Sequence, residues 1–408
     1  MSDRGKLPQP SILLVDDDPF MLGLQSRMLR GMGFASVSMV GSAQAALASL
    51  ESAERLAEVI ICDLNMPGMD GVEFLQALNA GPFVGSVILL SGEGARIMHT
   101  VQKLLNGGGL TVLGSLEKPA QPEALRALLA CWVSPSQKQH VSLPSVEIAA
   151  ADLQEAIRDR QWALHYQPKV TLSTGGIIGM EALVRWNHPR HGMVFPDSFI
   201  GVAEDCGLID ALTDWVLLET VNQMARWQVQ GMKMPVAINV SMDNLRAPDF
   251  AKRVSAMVRD AGVSPQDVTL EITESRAMSP SPIPLESLVR LRLQRFRLSI
   301  DDFGTGHSSL AQLRDVPFTE LKIDRGFVQG ARGNQIIRPM LEGSVGIAKR
   351  LGMLSVAEGV ETEDDWEFLR EIDCDAAQGH FISPPLDVGR VEGWLSDWQA
   401  RRRRLLGA

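Results

Sequence analysis

Short apolar runs alternate with amphipathic segments along the first third of the chain. Four of these runs are rich in β-branched residues and lie at 12–15, 59–62, 87–90 and 111–116. Strands that are buried on both faces of a parallel sheet show this pattern, because helices cover both faces. A helix-like segment that begins with a proline and ends with glycines, 19–33, separates two strand candidates. The pattern predicts an α/β fold over 9–132, a flavodoxin-like doubly wound domain.

The alternation stops after this domain. Residues 133–149 are polar, contain two prolines and have no hydrophobic period. Such a segment is typical of a linker between two folded units.

A second alternation of strand and helix candidates occupies 150–398. Its strand candidates, in chain order, are 164–170, 176–186, 236–241, 268–273, 298–304, 320–324, 354–360 and 376–382. Eight strands in about 250 residues, most of them followed by a helix-like segment, predict a TIM-type (β/α)8 barrel. A short Ser-Thr-Gly-Gly turn joins the first two candidates and predicts a hairpin. We therefore expect a barrel variant with one antiparallel strand.

The composition agrees with a globular protein of two or three domains. The chain has 408 residues, of which 45% are hydrophobic and 22% are charged. Its net charge of -10 argues against a general nucleic-acid binder, DNA included, since such proteins usually present a basic face. The arginine run 401–404 is an exception, and we interpret it as part of a solvated basic tail, 399–408.

The cysteines and the apolar runs indicate where the protein resides. Four cysteines are scattered without a CxxC pair, at Cys62, Cys131, Cys206 and Cys374. This spacing suits neither a zinc site nor a disulfide framework, so we expect reduced thiols. The start of the sequence lacks the apolar stretch of a signal peptide, and no run of about 18 apolar residues occurs. We therefore expect a soluble cytoplasmic protein without a membrane partner.

Charged and polar residues follow the strand candidates of the first domain. The first strand runs into three aspartates, 16–18, and the others run into Asp63, Ser91 and Lys118. Open α/β sheets bind ligands outside the carboxyl ends of their strands. Carboxylates that converge there repel one another unless a hard cation such as Mg²⁺ lies between them. Asp63 would then be a nucleophile towards a phosphoryl group, which Lys118 and Ser91 would neutralise and hydrogen-bond.

A simpler reading is that the aspartates only cap helices. It explains Asp17 or Asp18 but not Asp63, Ser91 and Lys118 together. The segments VDDDP, DLNMPGMDG, LLSG and EKP resemble the receiver domains of bacterial response regulators, over 10–132.

The resemblance to receiver domains implies a role for each of these residues. Asp63 would be the phosphorylation site, Asp16 and Asp17 would join it as Mg²⁺ ligands, and Ser91 and Lys118 would form the switch pair. The phosphate would come from a histidine kinase or a small phosphodonor. Ser115 departs from the pattern, because receiver domains usually place Tyr or Phe three residues before the lysine.

Polar residues also lie near the ends of seven strands of the predicted barrel. They are Glu181, Asn239, Glu271, Asp301, Asp302, Lys322, Glu358 and Gln378. In a barrel of this type the functional groups gather at the C-terminal mouth of the strands. Burying unpaired charges there would cost several kcal/mol each, so the five carboxylates, with the Asn239 amide, indicate bound cations. All-oxygen ligation predicts Mg²⁺ or Mn²⁺ rather than zinc.

Two adjacent aspartates, Asp301 and Asp302, fit a two-metal site that activates a water and braces a scissile phosphate. Lys322 would orient or help deprotonate that water, and Glu358 offers a base near the metals. Taken singly, each residue has a simpler reading. Glu181 is then a helix or turn carboxylate, Asn239 a capping amide and Lys322 a snorkelling surface lysine.

The motifs EALVRW, INVS, LEITES, DDFGTG, LKID, AEGVE and QGH occur in order and resemble those of the EAL-domain phosphodiesterases, over 150–395. The resemblance implies hydrolysis of cyclic di-GMP to linear pGpG with Mg²⁺ or Mn²⁺. The residues that it implies as metal ligands are Glu181, Asn239, Glu271, Asp301 and Asp302. It also implies that Lys322 and Glu358 are catalytic, that Arg185 and Gln378 contact substrate, and that Glu274 anchors the loop after DDFG.

Two other functions remain as alternatives. A degenerate barrel would bind cyclic di-GMP, or a protein partner, without cleaving it, but such barrels lose the residues corresponding to Glu181, a bridging aspartate or Lys322. A receiver-controlled transcription factor lacks support, since no helix-turn-helix or basic recognition face follows the linker. We expect phosphorylation to act on the barrel through a homo-oligomer, a dimer or a tetramer.

Overall fold

The computed structural model describes residues 10–52, 57–81, 83–91, 110–130, 132, 148–273, 282–304 and 310–405. The chain divides into two compact units, Met1–Pro144 and Ser145–Ala408. The expected anchoring residue Glu274 lies outside the described residues, as does Cys131.

The first unit contains a five-stranded parallel sheet in the order β2-β1-β3-β4-β5. Its strands are β1 (Ile12–Val15), β2 (Val37–Val40), β3 (Val59–Asp63), β4 (Ser86–Ser91) and β5 (Thr111–Glu117). The helices in its described part are α1 (Pro19–Gly31), α2 (Ala43–Ser52), α3 (Gly71–Ala80) and α4 (Pro122–Ala130). This strand order is that of flavodoxin-like doubly wound domains, so the predicted fold of the first unit is confirmed.

Neighbouring residues of the inner strand β1 enter different cores. Leu13 and Val15 of β1 pack into one cluster of buried residues, whereas Ile12 and Leu14 pack into a second. Successive side chains of a strand point to opposite faces, so the sheet is covered on both. This double burial explains why β1, β3 and β4 read as unbroken apolar runs.

The sequence pattern missed β2. Only Val37 is buried in this strand, and its two central residues are exposed. β2 lies at the edge of the sheet, where one side of the strand has no neighbour in the sheet order. A half-exposed edge strand has no continuous apolar run, which is the signal that identified the other four strands.

The second unit is a closed barrel of eight strands. Its strands are β6 (Trp162–Thr171), β7 (Ile177–His188), β9 (Val236–Asn239), β10 (Val268–Thr273), β11 (Arg297–Phe303), β12 (Glu320–Ile323), β13 (Leu354–Ala357) and β14 (Ala376–Ala377). β6 pairs antiparallel with both β7 and β14 and so closes the ring, while the other barrel pairings are parallel. The predicted barrel with one antiparallel strand is confirmed. Two short strands, β8 (Gly192–Val194) and β15 (Leu386–Asp387), extend β7 and β6.

Helices alternate with the strands of the barrel. In the described part they are α5 (Ala150–Arg158), α6 (Ile200–Asp205), α7 (Ile209–Val229), α8 (Met242–Leu245), α9 (Phe250–Asp260), α10 (Pro282–Leu293), α11 (Leu310–Asp315), α12 (Arg325–Val328), α13 (Ile337–Arg350), α14 (Glu363–Glu371) and α15 (Val391–Leu405). Within the described part of the chain, no helix has the length and apolar character needed to cross a membrane.

Of the basic tail expected at 399–408, the residues as far as Leu405, including the arginine run, belong to helix α15. The guanidinium of Arg401 lies 4.5 Å from the ring centre of Phe381 and 5.6 Å from that of Trp398. Trp398 is fully buried and donates a hydrogen bond to the carbonyl of Gly175. The helix is therefore anchored by its aromatic face, and the arginines continue it.

Candidate active site

The described receiver residues that we singled out meet at one edge of the first sheet. The Lys118 ammonium lies 2.6 Å from Asp16 Oδ2 and 2.8 Å from Asp63 Oδ2. Ser91 is fully buried at the end of β4, and its carbonyl accepts a hydrogen bond from the Lys118 backbone N–H. Oxygens of Asp16, Asp17 and Asp63 lie within 4.8 Å of one another, close enough to share a cation.

The third aspartate of the run has a separate task. Asp18 is the N-cap of α1, where its carboxylate accepts a hydrogen bond from the Phe20 backbone N–H.

Burial would lower the pKa of Lys118, but its hydrogen bonds and ion pairs with Asp16 and Asp63 outweigh burial and raise that pKa. Two carboxylates therefore share one firmly charged ammonium.

Lys322 is the centre of the barrel site. Its side chain is 1% exposed, and its ammonium lies near four carboxylates, three within β7, β10 and β11 and one directly after β13. The distances are 2.7 Å to Glu358 Oε1, 2.8 Å to Glu271 Oε2, 3.1 Å to Asp301 Oδ1 and 3.3 Å to Glu181 Oε2. The predicted convergence of polar residues at the barrel mouth therefore occurs.

Both oxygens of Glu181 are held by amides. Asn239 Nδ2 donates to Glu181 Oε1 at 2.7 Å, and Gln378 Nε2 donates to Glu181 Oε2 at 2.7 Å. Burial alone would raise the pKa of Glu181, but the Lys322 charge and these hydrogen bonds outweigh it and lower the pKa to about 2. Glu181 is thus fixed in place as a carboxylate.

A break in the ladder of β11 brings both adjacent aspartates to the mouth. The register between β11 and β12 shifts between Ile300 and Phe303, and Asp302 has a left-handed φ of 56°. Regular strands send neighbouring side chains to opposite faces, and a bulge removes that alternation. As a result, oxygens of Asp301, Asp302 and Glu358 lie within 4.8 Å of one another.

This site contains more carboxyl groups than cationic groups. Burial, followed by the charge of Glu181, raises the pKa of Glu271 to about 8, and burial also raises the pKa of Glu358. Burial and the Asp301 carboxylate raise the pKa of Asp302 to about 6. Carboxylates that resist ionisation indicate missing positive charge, and an all-oxygen donor set fits hard divalent cations such as Mg²⁺ or Mn²⁺. The residues present therefore fit the metals that the sequence predicted.

Two cavities open at the mouth of the barrel. The smaller, of about 250 Å³, is lined by residues that include Glu181, Lys322, Glu358 and Gln378. The larger, of about 540 Å³, is lined by residues that include Asn239, Asp301 and Asp302. Asp301 borders both, so the cavities adjoin at the carboxylate cluster.

Arg185 lies apart from this cluster in the structure. Its guanidinium lies 5.1 Å from the ring centre of Phe195, and Nη1 donates to the carbonyl of Val184. Arg185 shares the face of β7 that carries Glu181, four residues earlier. It is not among the residues that line either cavity in the described part of the chain.

Family comparisons agree with this geometry. The family model described as "EAL domain" matches residues 150–385, which is more than half of the chain. The chain belongs to the EAL domain family. The model described as "Response regulator receiver domain" matches 12–130, so the EAL domain follows a receiver domain.

Two named relatives and one solved structure match part or nearly all of the chain. Cyclic di-GMP phosphodiesterase RocR of Pseudomonas aeruginosa is 35% identical over 382 residues, covering 92% of this chain and 96% of RocR. Cyclic di-GMP phosphodiesterase NbdA of the same organism is 40% identical over 60% of this chain and 31% of its own length. The solved PaMucR phosphodiesterase in complex with c-di-GMP superposes with a TM-score of 0.57 at 38% identity, covering 59% of this chain and 98% of that one.

The EAL domain holds two further polar residues that the sequence interpretation missed. Gln167 Oε1 accepts from Gln378 Nε2 at 2.9 Å, and Gln167 Nε2 donates to the carbonyl of Ser383 at 3.1 Å. Lys169, two residues later, is 4% exposed. Their spacing of two in the strand β6 was the available signal, because it places both on one face.

Proposed function

We propose that this chain hydrolyses cyclic di-GMP to linear pGpG in the EAL barrel, with two Mg²⁺ or Mn²⁺ ions, under control of the receiver domain. The observation that carries the proposal is the meeting of Glu181, Glu271, Asp301 and Glu358 around Lys322 at one rim. RocR, which matches across both domains, is named as a cyclic di-GMP phosphodiesterase. The proposal includes the domain limits 9–132 and 150–398 and a cytoplasmic location.

The residues proposed to hold the two ions are Glu181, Asn239, Glu271, Asp301 and Asp302. When bound, the ions would activate a water and brace the scissile phosphate. Asn239 uses its Nδ2 on Glu181, which leaves its Oδ1 as a candidate ligand atom. Asp301 borders both cavities and is therefore placed to serve both ions.

Lys322 and Glu358 are the proposed proton-handling pair. The Lys322 ammonium lies 2.7 Å from Glu358 Oε1, so the position of each depends on the other. Burial raises the pKa of Glu358, which makes this carboxylate a stronger base than an exposed one. We propose that Glu358 accepts the proton of the attacking water and that Lys322 orients that water.

The substrate is proposed to cross both cavities. Cyclic di-GMP has two phosphodiesters and two guanines, and the adjoining volumes of about 540 and 250 Å³ offer two regions that meet at Asp301. Gln378 lines the smaller cavity beside Glu181 and is proposed to contact the substrate there. Arg185 would reach the substrate by leaving the Phe195 ring, since an arginine can pair with a phosphate.

A nucleotide assay tests hydrolysis directly. The purified chain is incubated with cyclic di-GMP and Mg²⁺, Mn²⁺, Ca²⁺ or a chelator, and the products are separated by chromatography. We expect pGpG with Mg²⁺ and Mn²⁺, little with Ca²⁺, which accepts looser geometry, and none with the chelator. Binding of cyclic di-GMP without any pGpG would instead establish the alternative, a binding module.

The receiver site supports control by phosphorylation. Asp63 Oδ2 lies 2.8 Å from the Lys118 ammonium, which also holds Asp16. A phosphoryl group on Asp63 would add charge and compete with Asp16 for Lys118, and Ser91 at the end of the next strand would be its hydrogen-bond donor. We propose a histidine kinase or a small phosphodonor as its source, and a homo-oligomer, dimer or tetramer, as the route to the barrel.

The variant Asp63→Asn is expected to abolish the response to a phosphodonor. Acetyl phosphate with Mg²⁺ should change the turnover of the unmodified chain severalfold and leave that of Asp63→Asn unchanged, because the amide is not a nucleophile. Initial rates of pGpG formation, together with a phosphate-affinity gel, provide the measurement. Asp18→Asn is the matched control, since asparagine also caps a helix. Equal rates with and without acetyl phosphate in a chain that the gel shows to be phosphorylated would refute the proposed control.

A further inference from the structure

We infer that Lys169 is a positioning residue for Glu271, one of the proposed metal ligands. The Lys169 ammonium lies 3.1 Å from Glu271 Oε1 and 2.8 Å from Glu320 Oε1. The other oxygen of Glu271, Oε2, lies 2.8 Å from Lys322. Two ammonium groups therefore hold the two oxygens of one carboxylate, one from each side.

These contacts belong to a buried series of alternating charges: Glu320, Lys169, Glu271 and Lys322. The exposed fractions of their side chains are 7%, 5%, 0% and 1%. Ser299 Oγ adds a hydrogen bond of 3.0 Å to Glu320 Oε1 and so fixes the far end of the series. Because these side chains are buried, each charge is compensated by its neighbours in the series. Removing one side chain therefore leaves the adjacent charge uncompensated.

The antiparallel strand explains how Lys169 reaches this place. β6 runs against the other barrel strands, so its residues descend from the mouth as their numbers rise. Gln167 pairs with Glu181 in the ladder and contacts the mouth cluster, whereas Lys169 pairs with Gly179, one layer deeper. The inward face of β6 thus supplies an amide to the upper layer and an ammonium to the layer below.

Lys169 does not line either mouth cavity in the described part of the chain. It therefore acts through Glu271 rather than on a substrate. Without Lys169, the Oε1 atom of Glu271 would lose its partner and the carboxylate would be free to turn away from the mouth. Removing groups that orient a metal ligand costs about 10- to 100-fold in metal affinity.

The test compares Lys169→Met with the double variant K169M/E320M in the full chain. The double variant removes both charges of the deepest pair and so avoids leaving Glu320 unpaired. Lys233→Met is the control, since Lys233 pairs with Asp267 at the surface with its side chain 76% exposed. Mn²⁺ binding is measured by calorimetry without substrate, and the melting temperature is measured in metal-free buffer. The receiver is identical in all variants, so differences in Mn²⁺ binding report on the barrel.

We expect Mn²⁺ affinity in the barrel to fall about 10- to 100-fold in Lys169→Met and in the double variant, and to stay unchanged in Lys233→Met. The double variant should melt above Lys169→Met, and at saturating Mn²⁺ both should keep the KM for cyclic di-GMP. A folded double variant that binds Mn²⁺ like the unmodified chain would overturn the inference. Failure of both variants to fold would also overturn it, because the role would then be structural. The inference rests on the proposed metal site, but lower Mn²⁺ affinity would support it even if the chain made no pGpG.

Discussion

Glu181→Ala is expected to reduce pGpG formation by about a thousandfold or more. Glu181 is firmly held at the mouth, with Asn239, Gln378 and Lys322 on its two oxygens. Alanine removes a proposed metal ligand and also the group that orients both amides. The initial rate of product formation at saturating Mg²⁺ or Mn²⁺ measures the loss.

A paired substitution separates chemistry from folding. Glu181→Gln keeps the size of the side chain and one acceptor oxygen but removes the charge, and it should lose activity nearly as fully as the alanine variant. Glu342→Ala, which breaks a surface ion pair with Arg338, should retain full activity. A folded Glu181→Gln enzyme with more than a tenth of the normal rate would exclude Glu181 from the metal set.

The sequence predicted the barrel and most of its site because the strands are parallel. In a parallel barrel the residue at each strand end faces the same mouth, so Glu271, Asp301 and Lys322 could be related without coordinates. The structure then brings Glu271 and Asp301 to within hydrogen-bond distance of the Lys322 ammonium. Their meeting follows from topology rather than from local sequence.

The same reasoning failed where a strand runs the other way. Gln167 and Lys169 lie in the middle of β6, whereas the sequence signal that predicted the site was a polar residue near a strand end. Their side chains nevertheless face the interior of the barrel, where they contact Gln378 and Glu271 respectively. An inward-facing polar residue in the middle of a strand is informative only once the direction of that strand is known.

Two further features needed the tertiary structure. The bulge of β11 sends both Asp301 and Asp302 to the mouth, although strand periodicity alone would place them on opposite faces. Helix α15 extends through the arginine run because Trp398 is buried and Arg401 lies against aromatic rings. Neither the bulge nor these aromatic contacts can be inferred from the neighbouring residues in the chain.

Asp301→Asn is expected to remove most of the activity without lowering the stability of the metal-free protein. Asp301 borders both cavities, lies 3.1 Å from the Lys322 ammonium and accepts a hydrogen bond from the Asp302 backbone N–H. Asparagine keeps the shape and an acceptor oxygen but cannot supply the charge that a shared ligand of two ions needs. We expect turnover to fall by about a hundred- to a thousandfold.

The stability expectation follows from the excess of carboxylates around Lys322. Removing one negative charge leaves three carboxylates on that ammonium. It also relieves the repulsion from Asp301, which raises the pKa of Asp302 in addition to the larger effect of burial. The melting temperature without metal should therefore stay the same or rise, whereas its increase on adding Mn²⁺ should shrink, because ligands stabilise the state that binds them. Asp315→Asn, at an exposed ion pair with Arg314, serves as the control for both measurements. If Asp301→Asn lost activity only in proportion to a lower melting temperature, Asp301 would be a structural residue, and the two-metal proposal would lose its bridging ligand.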